Sequence, residues 1–211
     1  MKLFELFKNK VMTDVVRGVT SGKKFEKKEP RKEVKENIIS KEEKDKIIAT
    51  LPKFEYNPYL YESDYVTFKD AVCKCCGKEV KAYVEDEICL DCIKDGSAFE
   101  KGLWSGIEDH DPISDDEKTK ILEERTPGYN TLQQLYWLQC CDDFCEFKGY
   151  VGIGELNKLG ITDEVINEYC ERFQLNCQDF LKANLAAKGA VRGYLYKCKH
   201  CGKYHLFVDM N

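Results

Sequence analysis

The sequence lacks the long apolar run that a membrane-spanning helix requires. No stretch of eighteen apolar residues occurs in the 211-residue chain, whereas a helix that crosses a bilayer needs about 20 such residues. The opening MKLFELFKNK is interrupted by charged side chains and has neither the apolar region nor the cleavage site of a secretion signal. We therefore expect a cytoplasmic protein, in which thiols stay reduced.

Motifs of several large enzyme classes are also missing. The sequence has no glycine-rich phosphate-binding loop, no H-E-x-x-H motif and no G-x-S-x-G motif. The glycines at 149, 152 and 154 resemble a dinucleotide fingerprint only superficially, because no βαβ unit surrounds them. Histidine is scarce, and neither His110 nor His205 has a visible partner in the sequence. We predict that the protein is not an enzyme, with an enzyme of unrecognised type as an alternative.

Cysteine, in contrast, is abundant, with 12 residues. Clustered cysteine pairs in a reducing compartment indicate metal ligands rather than disulfides. Cys73, Cys76, Cys89 and Cys92 form the pattern C-x2-C-x12-C-x2-C, which is typical of zinc ribbons and treble clefs. Gly77 follows the first pair and can adopt the positive φ that such a turn often needs. The pattern predicts a structural zinc ion with four sulfur ligands.

The first cysteine turn is almost repeated later in the chain. Residues 73–78 read CKCCGK and residues 198–203 read CKHCGK, so that five of six positions are identical. Cys198 and Cys201 provide only half of the four ligands that a closed zinc site requires. The repeat therefore predicts a second zinc site whose other two ligands come from elsewhere in the chain.

Two further ligands are available in a central segment that we predict to be helical. Cys141 and Cys145 are four residues apart and share one face of a helix. We expect them to bind the second zinc ion together with Cys198 and Cys201, although the adjacent Cys140 can substitute after a small rotation. The sequence thus predicts two zinc ions per chain.

The positions of the cysteine pairs do not indicate redox catalysis. A thioredoxin-type pair begins a helix that follows a strand, whereas the pairs that begin at Cys73 and Cys198 lie between predicted strands. Redox chemistry is therefore the weaker alternative to metal binding. We interpret Cys170 and Cys177 as core residues and Cys75 as a non-ligand.

The hydrophobic pattern indicates an α+β fold. Residues 1–50 are expected to contain an amphipathic helix at 2–16 and a charged linker at 17–46, followed by a zinc-binding domain at 51–211. The helix can dock on the body, touch a membrane surface or bind a partner. Strands are predicted around both cysteine turns, at 68–84, 191–197 and 204–210. Helices are predicted at 115–124 (capped by Ser114), 131–147, 154–159, 163–173 and 177–187.

The ordered motifs resemble the CbrC family, a bacterial family that is largely uncharacterised. The resemblance covers about residues 51–211 and rests on these motifs: Leu51-Pro52-x-Phe54-x-Tyr56-x-Pro58, both cysteine pairs up to Ser97-Ala98, Thr126-Pro127-Gly128-Tyr129, Trp137, Cys141-x-Asp143-x-Cys145-x-Phe147-x-Gly149, and Gly193 through Gly202. The family is connected with tolerance to a colicin, a bacterial toxin, without an established mechanism. The resemblance implies a toxin-immunity or tolerance factor.

The charge distribution bears on the choice of partner. Residues 1–50 contain 14 Lys and Arg against 9 Asp and Glu, whereas residues 51–211 contain 19 against 29. An acidic body repels nucleic-acid phosphates and favours basic partners, such as a basic toxin domain. The prediction is a zinc-stabilised binding protein; the alternative is a nucleic-acid-binding or regulatory zinc module that uses the basic residues 23–46 as an arm.

Overall fold

The computed structural model describes residues 39–211, so the helix predicted at residues 2–16 lies outside the described residues. The described part begins with a helix, α1 (Lys41–Ile48), which Ser40 caps by accepting a hydrogen bond from the Glu43 amide. This helix occupies the end of the segment that we predicted to be a linker. Only Ile47 of its eight residues is buried, so the helix contributes little to the core.

The first cysteine turn joins the strands of a small hairpin. Strands β1 (Thr67–Val72) and β2 (Glu79–Tyr83) pair antiparallel, with Ala71 opposite Val80. Two short helices follow, α2 (Leu90–Lys94) and α3 (Ser97–Glu100). The core of this region consists of aliphatic and aromatic side chains from the hairpin, the two helices and the preceding loop, among them Phe54, Leu60, Val84, Ile88, Leu90 and Ile93.

The second cysteine turn joins two strands of a three-stranded antiparallel sheet. The order of the sheet is β5-β6-β7, formed by Glu146–Val151, Val191–Lys197 and Tyr204–Met210. The predicted strands at 191–197 and 204–210 are confirmed. Three helices lie between β5 and β6 in the sequence: α5 (Ile153–Leu159), α6 (Thr162–Arg172) and α7 (Gln178–Asn184).

The segment predicted as a helix at 131–147 is not helical, and that prediction was wrong. It contains a two-stranded hairpin, β3 (Gln139–Cys140) and β4 (Asp143–Phe144), and then enters β5. Cys141 and Asp142 connect the strands with φ values of 57° and 56°. Two consecutive residues with positive φ form the turn that matches the twist of a two-residue hairpin.

Helix α4 (Asp116–Arg125) lies close to its predicted position, but its cap differs. The Asp115 carboxylate, rather than the Ser114 hydroxyl, accepts hydrogen bonds from the amides of Glu117 and Lys118. Small antiparallel sheets combined with short helices confirm the predicted α+β class.

A buried carboxylate fixes the loop that precedes the central hairpin. Oδ2 of Asp209 on β7 accepts hydrogen bonds from the amides of Leu132 and Gln133, at 2.9 and 2.7 Å. The aromatic side chains that suggested a helix instead fill a core between the loop and the sheet, where the Tyr129 and Phe147 rings stack with their centroids 4.2 Å apart.

Candidate metal centres

The first four predicted ligands are close together in space. The Sγ atoms of Cys73, Cys76, Cys89 and Cys92 lie within 4.8 Å of one another. The pair from Cys76 and Cys89 is 3.9 Å apart. The β1–β2 hairpin and the start of α2 therefore bring both Cys-x-x-Cys pairs to one point, as their spacing predicts.

A second sulfur tetrad combines Cys140, Cys141, Cys198 and Cys201, whose Sγ atoms also lie within 4.8 Å of one another. The Sγ atom of Cys140 is 3.8 Å from that of Cys141 and 3.7 Å from that of Cys201. The turn of the β3–β4 hairpin provides two sulfurs and the β6–β7 turn provides two. The tetrad thus joins two elements that are distant in the sequence.

Cys145, which we predicted as a ligand, is outside this tetrad, and Cys140 takes its place. Cys145 is fully buried, and its amide donates to the Leu138 carbonyl at 3.0 Å. Its carbonyl accepts a hydrogen bond from Nε1 of Trp137 at 2.9 Å. Burial raises the pKa of the Cys145 thiol well above its usual range, as expected for a neutral core residue.

The geometry of both tetrads fits a tetrahedral metal ion. Four sulfurs about 2.3 Å from a zinc ion would be about 3.8 Å from one another. The three Sγ–Sγ distances quoted above, 3.7 to 3.9 Å, are close to this value. Ordinary packing of thiol groups does not by itself bring four sulfurs together at this spacing. Each tetrad can therefore hold one metal ion.

The two cysteine turns have the same hydrogen-bond pattern. The Gly77 amide donates to the Cys73 carbonyl at 2.8 Å, and the Gly202 amide donates to the Cys198 carbonyl at 3.1 Å. Both glycines have φ of 73°. The repeated sequence therefore forms the same turn twice. The first sulfur of each turn accepts a hydrogen bond from a backbone amide: Sγ of Cys73 from the Cys89 amide and Sγ of Cys198 from the Cys201 amide.

Backbone amides lower the pKa of one thiol in each tetrad and so favour its thiolate form. Burial acts to raise the pKa of Cys198, but the amides of Cys201 and His200 outweigh it and lower this pKa to about 6. In the same way, the pKa of Cys73 is lowered to about 7, since the amide of Cys89 and those of its own turn outweigh burial. Metal binding requires thiolates, so each centre has one sulfur that is ready to bind at neutral pH.

Gly202 provides a test of this turn. A Cβ atom at Gly202 would meet no atom within 4 Å, so only the positive φ opposes a side chain there. We expect Gly202→Ala to lower the free energy of unfolding by about 1 kcal/mol, because an L-residue is strained in this region. Gly154→Ala is the matched control, since Gly154 lies inside α5 with equally open space. Denaturant titration should show no loss of stability for that control.

A buried carboxylate supports the second tetrad. Asp143 is the first residue of β4. Its Oδ2 atom accepts hydrogen bonds from Lys199 Nζ and His200 Nε2 of the second cysteine turn, each at 2.9 Å. Its Oδ1 atom accepts a hydrogen bond from the Tyr56 hydroxyl at 3.1 Å. Burial would raise the pKa of Asp143, but the bonds from Lys199 and His200 lower it well below its usual range. The carboxylate is therefore charged and holds the β6–β7 turn against the β3–β4 hairpin.

The sequence analysis assigned Asp143 no role beyond its place in the motif Cys141-x-Asp143-x-Cys145. The neighbouring Asp142 is exposed, and it accepts a hydrogen bond from the Ser114 amide at 2.8 Å. The positions of Lys199 and His200 inside the second Cys-x-x-Cys turn were the available signal. Asp111 plays a related part, since its Oδ2 accepts from the Gln139 amide at 2.9 Å, next to Cys140.

His110 and Cys75 lie outside both tetrads and contact other side chains of the protein. His110 has a partner that the sequence did not reveal, because its Nε2 is 2.9 Å from Oε1 of Glu123. Cys75 is buried beside the first tetrad but outside it, and its Sγ is 3.6 Å from the Ser97 hydroxyl. Among residues 39–211, no helix combines the length and apolar character needed to span a membrane.

The fold and the two tetrads define an α+β protein with two candidate sulfur-ligated metal centres. The chain belongs to UPF0167, described as an uncharacterised protein family, whose model matches residues 51–210. It is 32% identical to the UPF0167 protein PA1536 of Pseudomonas aeruginosa, over 75% of this chain and 97% of that protein. UPF0167 proteins Mb2317 of Mycobacterium bovis and MT2352 of Mycobacterium tuberculosis are each 29% identical, over 75% of this chain and 93% of theirs. No solved structure matches the chain significantly.

Proposed function

We propose that the protein is a zinc-stabilised binding protein with one structural zinc ion in each tetrad. The observation that carries this proposal is that the four Sγ atoms of each cluster lie within 4.8 Å of one another, with 3.7 to 3.9 Å between the Sγ atoms of three of the pairs. Tetrahedral sites with four sulfur ligands select zinc or iron–sulfur chemistry among the biological metals. Zinc with four protein ligands has no open coordination position, so such a centre stabilises a fold rather than activating water.

Metal analysis tests the two centres. Protein purified under reducing conditions without added metal should contain about two zinc ions per chain, because each tetrad supplies the full ligand set of one structural site. Inductively coupled plasma mass spectrometry gives the stoichiometry and separates zinc from iron. Less than about one ion per chain, or iron with an absorbance in the visible range, would refute the zinc assignment.

The specific version of the proposal is a cytoplasmic factor that binds a basic toxin domain in a stoichiometric complex. It rests on the CbrC resemblance and on the acidic composition of residues 51–211, with 29 Asp and Glu against 19 Lys and Arg. Complementary charge accelerates association and makes the rate sensitive to salt. The closed sulfur shells offer no catalytic position, which favours binding over enzymatic inactivation.

Protection assays test this version. Cells that produce the full chain would be challenged with colicin-like toxins and with any toxin encoded by a neighbouring gene, and complexes would be measured with the purified components. We expect protection that scales with the amount of protein and an association rate that falls as salt rises. Protection at substoichiometric levels would indicate an enzyme. Salt-dependent retention on DNA without toxin binding would favour the nucleic-acid-binding alternative.

A further inference from the structure

Two cysteines that neither tetrad uses lie against each other. The Sγ atoms of Cys170 and Cys177 are 2.7 Å apart. Among residues 39–211 they belong to no group of three or more metal-ligating side chains. A pair of thiols without further ligands cannot form a closed metal site, which requires four. Their contact therefore calls for an explanation other than metal binding.

The position of the pair connects two helices. Cys170 is in the last turns of α6, and Cys177 is the residue immediately before α7. The intervening turn is closed by a hydrogen bond of 2.8 Å from the Leu175 amide to the Cys170 carbonyl. Because the backbone already brings both residues together, a bond between the sulfurs needs no rearrangement of the fold.

The two thiols differ in exposure. Cys170 is buried, with 1% of its surface accessible, whereas Cys177 is partly exposed. A small oxidant can thus reach Cys177, and Cys170 is placed to attack the product from the interior. We propose that Cys170 and Cys177 form a redox-modifiable pair that becomes an intramolecular disulfide on reaction with a low-molecular-weight disulfide such as oxidised glutathione.

The reaction balances with one equivalent of oxidised glutathione. The Cys177 thiolate attacks one glutathione sulfur, which breaks the glutathione disulfide, forms a mixed disulfide and releases one glutathione thiolate. Cys170 then attacks Sγ of Cys177, and the second glutathione leaves. The protein pair loses two electrons and two protons, and oxidised glutathione is reduced to two thiols. Burial, and after it the neighbouring Cys170, raises the pKa of Cys177 to about 12, so exchange is slow and needs prolonged incubation.

The consequence of the link is the fastening of α7 to α6. Helix α7 has seven residues, of which only Leu181 is fully buried, so few contacts hold it in place. A disulfide that closes this short loop should raise the midpoint of thermal unfolding by about 5 °C, through the reduced freedom of the unfolded chain.

Peptide mapping tests the proposal on the full chain. Trypsin cuts after Arg172, so Cys170 and Cys177 fall on the separate peptides 159–172 and 173–182, each with one cysteine. After equilibration in oxidised glutathione and alkylation of free thiols, these peptides should appear as one disulfide-linked species that separates on reduction. Cys170→Ala should stop at a glutathione adduct on peptide 173–182. Cys145→Ala, which removes a buried thiol outside both tetrads, should leave the link unchanged.

Two outcomes would overturn the proposal. One is a wild-type chain whose two peptides stay fully alkylated at every glutathione ratio. The other is scrambling, in which Cys177 links as often to the tetrad cysteines as to Cys170. Zinc is measured on a parallel sample that is kept reduced, because oxidised glutathione also reacts with metal-binding thiolates, and the inference does not depend on the zinc content. A linked pair in a chain whose reduced sample contains no zinc would refute the proposed metal centres and leave this proposal standing.

Discussion

Cys140→Ala should lose the second metal ion, while Cys145→Ala should retain both. Cys140 supplies one sulfur of the second tetrad, and its removal leaves the fourth position of the zinc ion open to water and to chelators. After dialysis against EDTA, we expect the zinc content to fall from about two ions per chain to about one in the Cys140 variant. Elemental analysis and thiol titration of the native protein provide the measurement.

The two alanine variants control each other, because both remove one thiol from the same hairpin region. Cys145→Ala creates a cavity in the aromatic core, so we expect a loss of stability of about 1 to 2 kcal/mol with unchanged metal content. Cys201→Ala should match Cys140→Ala in metal loss, since the two sulfurs are 3.7 Å apart. The reverse result, with zinc lost from the Cys145 variant and retained by the Cys140 variant, would contradict the second tetrad. It would support the ligands that the sequence analysis expected, which include Cys145 instead of Cys140.

Asp143→Asn should lower the free energy of unfolding by about 3 kcal/mol, because breaking a buried ion pair leaves its partner uncompensated. Lys199, only 14% exposed at its side chain, would lose the charge that its Nζ contacts at 2.9 Å. An amide keeps the size of the carboxylate but lacks its charge. Urea unfolding at neutral pH in excess zinc measures the effect apart from any change in metal occupancy.

Asp142→Asn is the matched control for that measurement. Asp142 is adjacent, exposed and at a positive φ of 56°, a conformation that asparagine also tolerates. Its loss of charge should leave the urea midpoint nearly unchanged, since its only described hydrogen bonds are to Ser114 at the surface. Equal destabilisation by the two substitutions would show that Asp143 has no special role in holding the β6–β7 turn.

The elements with local signals could be predicted from the sequence. The repeat of Cys73–Lys78 at 198–203 predicted both turns, in which both glycines have φ of 73°, and the strands predicted on either side of the second turn have the bounds of β6 and β7. The first tetrad followed from spacing alone, because its four cysteines lie on a single hairpin and the helix after it.

The central segment could not be predicted in this way. Its apolar spacing satisfies the period of a helix, but its apolar side chains pack in the aromatic core against the sheet, and Asp209, 76 residues away, binds the Gln133 amide in the loop. Positive φ at Cys141 is also costly for a residue other than glycine, so no propensity favours the observed turn. The wrong helix also led to the expectation that Cys145 is a metal ligand. Positions four apart share a face only in a helix, which is why Cys145 was predicted to bind the same ion as Cys141.

The long separation within the second tetrad also has a consequence for synthesis of the protein on the ribosome. The four cysteines of the first tetrad are all present once residue 92 has been added, whereas Cys140 precedes Cys198 by 58 residues. At an elongation rate of about 5 to 20 residues per second, this interval lasts about 3 to 12 seconds. We expect the first metal ion to be acquired cotranslationally, whereas the thiols of Cys140 and Cys141 wait as an adjacent, incomplete pair. During that interval they are open to competing soft metals, so the cellular metal supply would determine which ion the finished centre receives.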